Sequence, residues 1–141
     1  MTKDEREEIA KNPNTPQETL AELSRDQEYR VRYIVASNPN TPQEILVKLS
    51  RDGGWFVRSS VAGNTKTPVE TLDILSRDKH YSVRSSVAWN RNTPVETLAE
   101  LSKDQDEYVR REVAKNPKWK RLKKLGILDQ IIAISKYLGI L

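Results

Sequence analysis

The amino-acid sequence predicts an all-α solenoid of four 26-residue, two-helix repeats, with a half repeat before them and a capping helix after them. Three short motifs recur every 26 residues without an insertion: Val-Arg, Thr-Pro and Ala-x-Asn. A fixed period of this length is the signature of repeat architectures, in which each unit buries its apolar face against the next unit. The motifs stand at Val31-Arg32, Val57-Arg58, Val83-Arg84 and Val109-Arg110; at Thr15-Pro16, Thr41-Pro42, Thr67-Pro68 and Thr93-Pro94; and at Asn12, Asn38, Asn64, Asn90 and Asn116.

The first helix of each repeat is predicted to begin at the Thr-Pro pair. Thr15 can accept a hydrogen bond from a first-turn N–H, Pro16 suits the first helical position, and Glu18 can complete a capping box. Leu20 and Leu23 lie three residues apart and are expected to face the core. The three later copies carry the same pattern.

The second helix of each repeat is predicted to follow an aspartate, which favours a helix N-terminus. In the first copy, Val31, Val35 and Ala36 share one face and are expected to be buried. Asn38 is expected to end this helix in a left-handed conformation, with the following proline preventing its continuation.

The chain is predicted to form a single domain of residues 1–141. Residues 1–14 form a polar N-terminal half repeat, in which Glu5 replaces the buried valine, and residues 15–118 form the four repeats. Residues 119–141 form a basic segment and an apolar capping helix, which we expect from about Leu125 to Leu138.

The repeat consensus identifies a family resemblance. The pattern Val-Arg-x-x-Val-Ala-x-Asn-Pro-x-Thr-Pro-x-Glu-x-Leu-x-x-Leu-Ser-x-Asp, over roughly residues 6–118, resembles the leucine-rich repeat variant (LRV) family. The resemblance implies a right-handed superhelix of alternating α- and 3₁₀-helices that serves protein–protein contact. Some members carry a cysteine-ligated iron–sulfur cluster. This chain has no cysteine, so that cluster is not carried over, and no cofactor or metal is expected.

An arginine column and an aspartate column share the 26-residue period. Each arginine follows a buried valine and lies at the edge of the buried stripe. The columns could form a structural brace or a cationic ladder for an acidic ligand, and their equal period favours the brace. The asparagine column is expected to satisfy backbone groups at the turns. The ladder residues are Arg32, Arg58, Arg84, Arg110, Asp26, Asp52, Asp78 and Asp104.

The variable positions are where a partner contact is expected. Trp89 replaces a small residue in one copy only and is the leading candidate. Tyr29, Trp55 and Tyr81 form an aromatic column, and Tyr33 lies in a variable pair. Tyrosine and tryptophan are favoured at binding hot spots, although they also pack over helix ends.

The basic character of the chain is confined to its C-terminal segment. Residues 115–141 carry seven Lys or Arg against one Asp, whereas residues 1–114 carry 17 against 19 Asp or Glu. Basic residues around an aromatic can contact phosphate backbones or anionic lipid, or simply keep a terminal helix soluble. The candidate anion contacts are Lys118, Lys120, Arg121, Lys123 and Lys124.

The final helix is predicted to be apolar over a wide arc. Ile127, Ile131, Ile134 and Leu138 form one stripe. This surface is expected to be buried within the cap or to form a homodimer, because large exposed apolar patches are uncommon on monomers.

Nothing in the sequence indicates an enzyme. The single histidine, His80, has no catalytic motif beside it, and no phosphate-binding glycine loop occurs. The charged N-terminus lacks a signal-peptide pattern and no run of 18 apolar residues occurs, so no transmembrane segment is expected and the cytoplasm is the predicted location.

The sequence therefore predicts a non-catalytic scaffold that binds an unidentified protein partner. The alternative is nucleic-acid or anionic-surface binding through the basic segment. A third possibility is a peripheral membrane protein anchored by residues 118–141.

Overall fold

The computed structural model describes residues 1–141 and is entirely helical, which confirms the predicted fold class. It contains eleven helices and no strand. The helices are α1 (Lys3–Lys11), α2 (Gln17–Leu23), α3 (Tyr29–Ser37), α4 (Gln43–Leu49), α5 (Trp55–Gly63), α6 (Val69–Leu75), α7 (Tyr81–Trp89), α8 (Val95–Leu101), α9 (Glu107–Lys115), α10 (Pro117–Lys124) and α11 (Leu128–Tyr137).

The helices form two kinds of element that alternate along the chain. The long helices α1, α3, α5, α7 and α9 have nine residues each and pack side by side, each against the next. The short helices α2, α4, α6 and α8 have seven residues each and pack against the long helices that flank them. At the C-terminal end, α10 contacts α8 and α9, and α11 contacts α8 and α10.

One continuous apolar core lies between the long and the short helices. Leucines of the short helices, such as Leu46 and Leu72, meet valines of the long helices, such as Val57 and Val61, and all four are fully buried. A nine-residue or seven-residue helix is marginal in isolation. Stability must therefore come from this burial between neighbouring units.

The predicted capping boxes at the Thr-Pro pairs are wrong. Pro16 occupies the N-cap position of α2 and no side chain caps this helix. The Thr15 hydroxyl instead donates to the Ile9 carbonyl at the end of α1, 2.5 Å away. The threonine is buried beside the end of α1, where the Ile9 carbonyl also accepts from the Asn12 N–H, so the hydroxyl adds a second hydrogen bond to this carbonyl. The equivalent bonds recur at Thr41, Thr67 and Thr93.

The short helices have α rather than 3₁₀ geometry. In α2, the N–H of Leu20 donates to the Pro16 carbonyl, four residues back. Bonds between residues three apart occur at the helix ends, as from Asp26 to the Leu23 carbonyl. Such 3₁₀ turns are common at helix termini. The alternation of α- and 3₁₀-helices that the family resemblance implies is therefore not present, and 3₁₀ bonds occur only at the helix ends.

The expectation of left-handed asparagine caps is also wrong. Asn38, which ends α3, has φ −72° and ψ 126°, an extended conformation. No residue other than Gly126 and Gly139 has a positive φ. The Asn38 side chain instead bonds to the preceding repeat, as described below.

The C-terminal cap consists of two helices rather than one. Asn116 caps α10 by accepting a hydrogen bond from the Lys118 N–H, with Pro117 in the first turn. Gly126, at φ +70°, ends α10 in a Schellman motif, in which its N–H donates to Lys123 and the N–H of Ile127 to Leu122. The predicted helix from Leu125 to Leu138 therefore begins later, at Leu128.

None of the eleven helices combines the length and the apolar character that crossing a membrane requires.

Candidate functional site

The arginine and aspartate columns form the predicted structural brace. The guanidinium of Arg58 donates two hydrogen bonds to the Asp78 carboxylate of the next repeat, from Nε at 2.7 Å and from Nη2 at 3.1 Å. Its Nη1 donates to the Asp52 carbonyl at 2.8 Å. Arg32 and Arg84 repeat this geometry with Asp52 and Asp104.

The brace also sets the charge state of its members. Burial raises the pKa of Asp78, but hydrogen bonds from Arg58 and from the His80 N–H, together with the Arg58 charge, outweigh burial and hold this pKa below its usual range. The pKa values of Asp26 and Asp104 are lowered in the same way. The hydrogen bond to Asp78 raises the pKa of Arg58. The paired members of the ladder therefore neutralise one another, which leaves little charge for an acidic ligand. Arg110, the last arginine of the column, differs because its guanidinium bonds only to the Asp104 carbonyl.

The asparagine column joins successive repeats through their backbones, as predicted. The Asn64 amide donates to the Ala36 carbonyl at 2.8 Å and to the Asn38 carbonyl at 3.3 Å. Its side-chain oxygen accepts from the Lys66 N–H at 2.9 Å. These polar atoms are buried and fully satisfied, so the column is part of the fold.

An exposed aromatic stripe crosses the N-terminal ends of the long helices. Trp55 stacks on Phe56 with ring centroids 3.8 Å apart and on His80 at 4.1 Å. The stripe extends to Tyr29 at one end and through Tyr81 to Tyr108 at the other. Four of these rings remain exposed, and Trp55 and His80 are half-buried. The aromatic stripe consists of Tyr29, Trp55, Phe56, His80, Tyr81 and Tyr108.

Sequence analysis identified only part of this stripe. Phe56 and Tyr108 lie one residue after the predicted aromatic column and were not singled out. The sequence does mark this column as variable, because it holds Arg30 and Ser82 in the other copies. Variable positions are where a partner contact is expected. His80 caps α7 by accepting from the Ser82 N–H at 3.2 Å and stacks on Trp55.

A strip of small residues, which we call the serine floor, crosses the middle of the surface formed by the long helices. It consists of Ser59, Ser60, Gly63, Ser85 and Ser86. These side chains bond to one another or to backbone carbonyls; the Ser59 and Ser86 hydroxyls are 2.7 Å apart. No large side chain occupies this strip.

Larger side chains border the serine floor on both sides along the stack. Trp89 is 56% exposed and lines a cleft with Ser85, Ser86 and Tyr108. At the other side, Tyr33, which is also exposed, lines a cleft of about 540 Å³ that includes Phe56. The structure therefore brings all five predicted partner contacts to one face, which we call the long-helix face.

The predicted anion contacts lie together on α10. Lys120, Arg121, Lys123 and Lys124 are exposed, and none of them is within 4.0 Å of a carboxylate. Lys118 differs, because its ammonium donates to the Thr93 carbonyl at 2.8 Å.

The terminal helix α11 leaves much of its apolar stripe in solvent. Ile134 and Leu138 are exposed, whereas Ile131 is half-buried. A cleft of about 480 Å³, lined by Trp119, Leu128 and Ile132 among others, separates α11 from α8 and α10. The homodimer through this helix stays a prediction.

Comparison with known families finds one match. The family model described as leucine rich repeat variant matches residues 29–53, from the start of α3 to the loop after α4. This is a helical-repeat family whose members are often involved in protein interactions and are generally non-catalytic. No curated protein matches the chain at a significant level. The match confirms the resemblance seen in the sequence: residues 29–53 carry a leucine rich repeat variant unit.

Proposed function

We propose that this chain is a non-catalytic protein-interaction scaffold whose partner lies across the long-helix face. The observation that carries the proposal is the exposed aromatic stripe beside the serine floor. Large aromatic side chains held on rigid helices provide contact area at low entropic cost and dominate many interfaces.

The contrast with the rest of the surface supports this assignment. Most members of the arginine, aspartate and asparagine columns are bonded within the fold, so they are not available to a partner. The long-helix face differs between repeats, as specific recognition requires, and it combines apolar rings with serine hydroxyls. The expected occupant is an extended or helical protein segment that places apolar side chains against the stripe and polar groups over the serine floor.

Affinity capture with matched variants tests this proposal. The bait is the full chain, with and without nuclease treatment of the lysate. We expect a discrete protein that survives nuclease and is lost with Phe56→Ser and with Trp89→Ser. Ile74→Ser on α6 and Tyr137→Ser on α11 are matched controls, because both remove an exposed apolar side chain away from this face. Retention of the partner by both face variants would refute the proposal.

A second candidate function is binding of nucleic acid or another anionic surface through α10. It is favoured by the four exposed, unpaired cations of this eight-residue helix. Such binding should weaken steeply with added salt and should be lost with Lys120→Glu/Lys124→Glu, whereas aromatic contacts on the long-helix face should be less salt-sensitive. Liposome flotation of the same variant tests the membrane version. The cytoplasmic location stays a prediction from the sequence.

A further inference from the structure

The flank of α9 that points away from α7 lacks the cover that every other long helix has. Ala10, Ala36, Ala62 and Ala88 are each 0% exposed, because the next long helix packs on them. Their counterpart Ala114 is exposed. The chain turns after α9 into α10 and α11, which pack towards the short helix α8 and leave Ala114 open.

Arg110 on the same flank is oriented like its counterparts but lacks their carboxylate. Its Nη1 donates to the Asp104 carbonyl at 2.6 Å, as Arg84 does to Asp78. Each of the other arginines bonds to an aspartate 20 residues later in the chain, but the residue 20 positions after Arg110 is Gln130. The guanidinium therefore remains exposed without an acidic partner.

The flank of α1 that points away from α3 is the opposite end of the same stack. Glu5 and Asn12 are exposed there, although their counterparts in later repeats are a buried valine and a buried asparagine. The Asn12 side-chain oxygen accepts from the Asn14 N–H. Its amide nitrogen makes no hydrogen bond, unlike the amide of Asn38, which donates to Ala10 and Asn12 of the preceding unit.

The contacts inside the stack show which residues would meet if α1 of a second copy packed on α9. Ser59 contacts Ser86, and Ser37 contacts Ser60, across neighbouring long helices. Two and three repeats onwards, respectively, these pairs become Arg111 with Glu8 and Lys115 with Glu8 of the second copy. Likewise, the Glu7–Arg30 ion pair becomes Arg111 with Asp4.

Most of the charges that face each other in this register are opposite in sign; the exception is Glu107 with Asp4, which takes the place of Tyr81 with Tyr108. The open flank of α9 presents exposed Arg110, Arg111 and Lys115, and that of α1 presents exposed Asp4, Glu5 and Glu8. Arg111 and Lys115 otherwise make only exposed pairs with Glu107 and Glu112 on their own helix, and such pairs contribute little.

We propose that the chain associates with a second copy of itself end to end, with α1 of one copy on the open flank of α9 of the other. Ala114 would be covered, and Asn12 of the second copy would donate to the carbonyls of Ala114 and Asn116. The contact is heterologous, so it extends into an open series unless its rotation closes a ring. This goes beyond partner binding on the long-helix face.

Sedimentation velocity of the full chain over a concentration series tests the proposal through charge reversal. The α9 variant is Arg111→Glu/Lys115→Glu, and the α1 variant is Asp4→Lys/Glu8→Lys. The control is Asp73→Lys/Arg77→Glu, which reverses an exposed pair at the C-terminal end of α6. Circular dichroism melts establish that each variant folds. We expect the wild type and the control to associate with concentration, less so at high salt. Each end variant alone should be monomeric. A 1:1 mixture of the two should associate again, because the acidic α9 flank of one variant then meets the basic α1 flank of the other, and the two unchanged flanks also have opposite charges.

Three results would overturn the proposal. One is a wild type that stays monomeric up to its solubility limit. Another is a mixture of the two folded end variants that does not associate. The third is association that both end variants retain and that Ile134→Asp/Leu138→Asp on α11 abolishes, because this would assign the contact to the C-terminal helix.

Discussion

Arg58 Nε lies 2.7 Å from Asp78 Oδ2 in the next repeat, and the same guanidinium holds the Asp52 carbonyl of its own repeat at 2.8 Å. One side chain thus ties two repeats together, and both partners of the ion pair are about one-tenth exposed. Removing one member of a buried pair leaves the other charge uncompensated. Arg58→Met is therefore expected to lower the free energy of unfolding by about 3 kcal/mol.

Arg110 is the natural control for that substitution, because it occupies the same column without a carboxylate. Arg110→Met is expected to change the free energy of unfolding by less than about 0.5 kcal/mol. Urea unfolding of the two variants measures both values. Equal losses would mean that the ion pair is not what the Arg58 substitution removes.

The asparagine column gives a second internal comparison. Asn64→Ala removes two amide donations to the preceding repeat, to Ala36 and Asn38, and is expected to cost about 2 kcal/mol, since buried carbonyls lose their donors. Asn12→Ala removes only a local bond from the exposed Asn14 N–H, so its cost should be clearly smaller. Thermal melts at low protein concentration, where copies of the chain are separated, compare the two. A larger loss for Asn12→Ala would count against the inter-repeat role.

The role of the Thr-Pro pair can be separated from helix capping. Thr67→Val keeps the shape of the side chain but removes the hydrogen bond to the Val61 carbonyl, and is expected to cost about 1–2 kcal/mol. Glu70, which would complete a capping box, makes no hydrogen bond to the N-terminus of α6. Glu70→Ala should therefore change stability by less than about 0.5 kcal/mol. A substantial loss of stability in Glu70→Ala would show that Glu70 does take part in a capping box.

Acid is expected to weaken the repeat stack. The folded-state pKa values of Asp26, Asp78 and Asp104 are lowered, because hydrogen bonds and charge from their arginines outweigh the effect of burial. Their contribution to stability is fully present above the usual aspartate value of about 3.9 and is lost as the pH falls through the lower folded-state values. Urea unfolding between pH 7 and pH 3 should show this decline, with a shallower decline for Asp78→Asn. An identical pH dependence in that variant would show that Asp78 does not contribute to it.

The internal periodicity made most of the fold predictable. A column that recurs every 26 residues must occupy equivalent positions, so the valines, the leucines and the Arg–Asp brace could be assigned before the structure was known. The hydrogen-bond partners were less predictable. Thr15 and Asn38 are both common cap residues, but the carbonyls they serve belong to Ile9 and Ala10, and only packing reveals that proximity.

The candidate site was predictable only in part, because it depends on residues that do not repeat. Trp55 and Tyr81 formed a visible column, whereas Phe56 and Tyr108 join the stripe through a contact between neighbouring repeats. The break at Gly126 was missed because the apolar pattern continues through it. The two uncovered flanks could not be found from the sequence, since exposure of Ala114 depends on where α10 and α11 pack.

The most direct test of partner binding on the long-helix face uses peptides selected from a displayed random library against the wild-type chain. Binding of the selected peptides is then measured by tryptophan fluorescence or, for tryptophan variants, by peptide anisotropy. We expect Phe56→Ser and Trp89→Ser each to raise the dissociation constant by about 30-fold or more, the loss of affinity typical of a hot spot. Ile74→Ser and Tyr137→Ser should leave the dissociation constant unchanged. Selected peptides that bind both face variants as tightly as the wild type, or that lose binding only with Lys120→Glu/Lys124→Glu, would contradict the account.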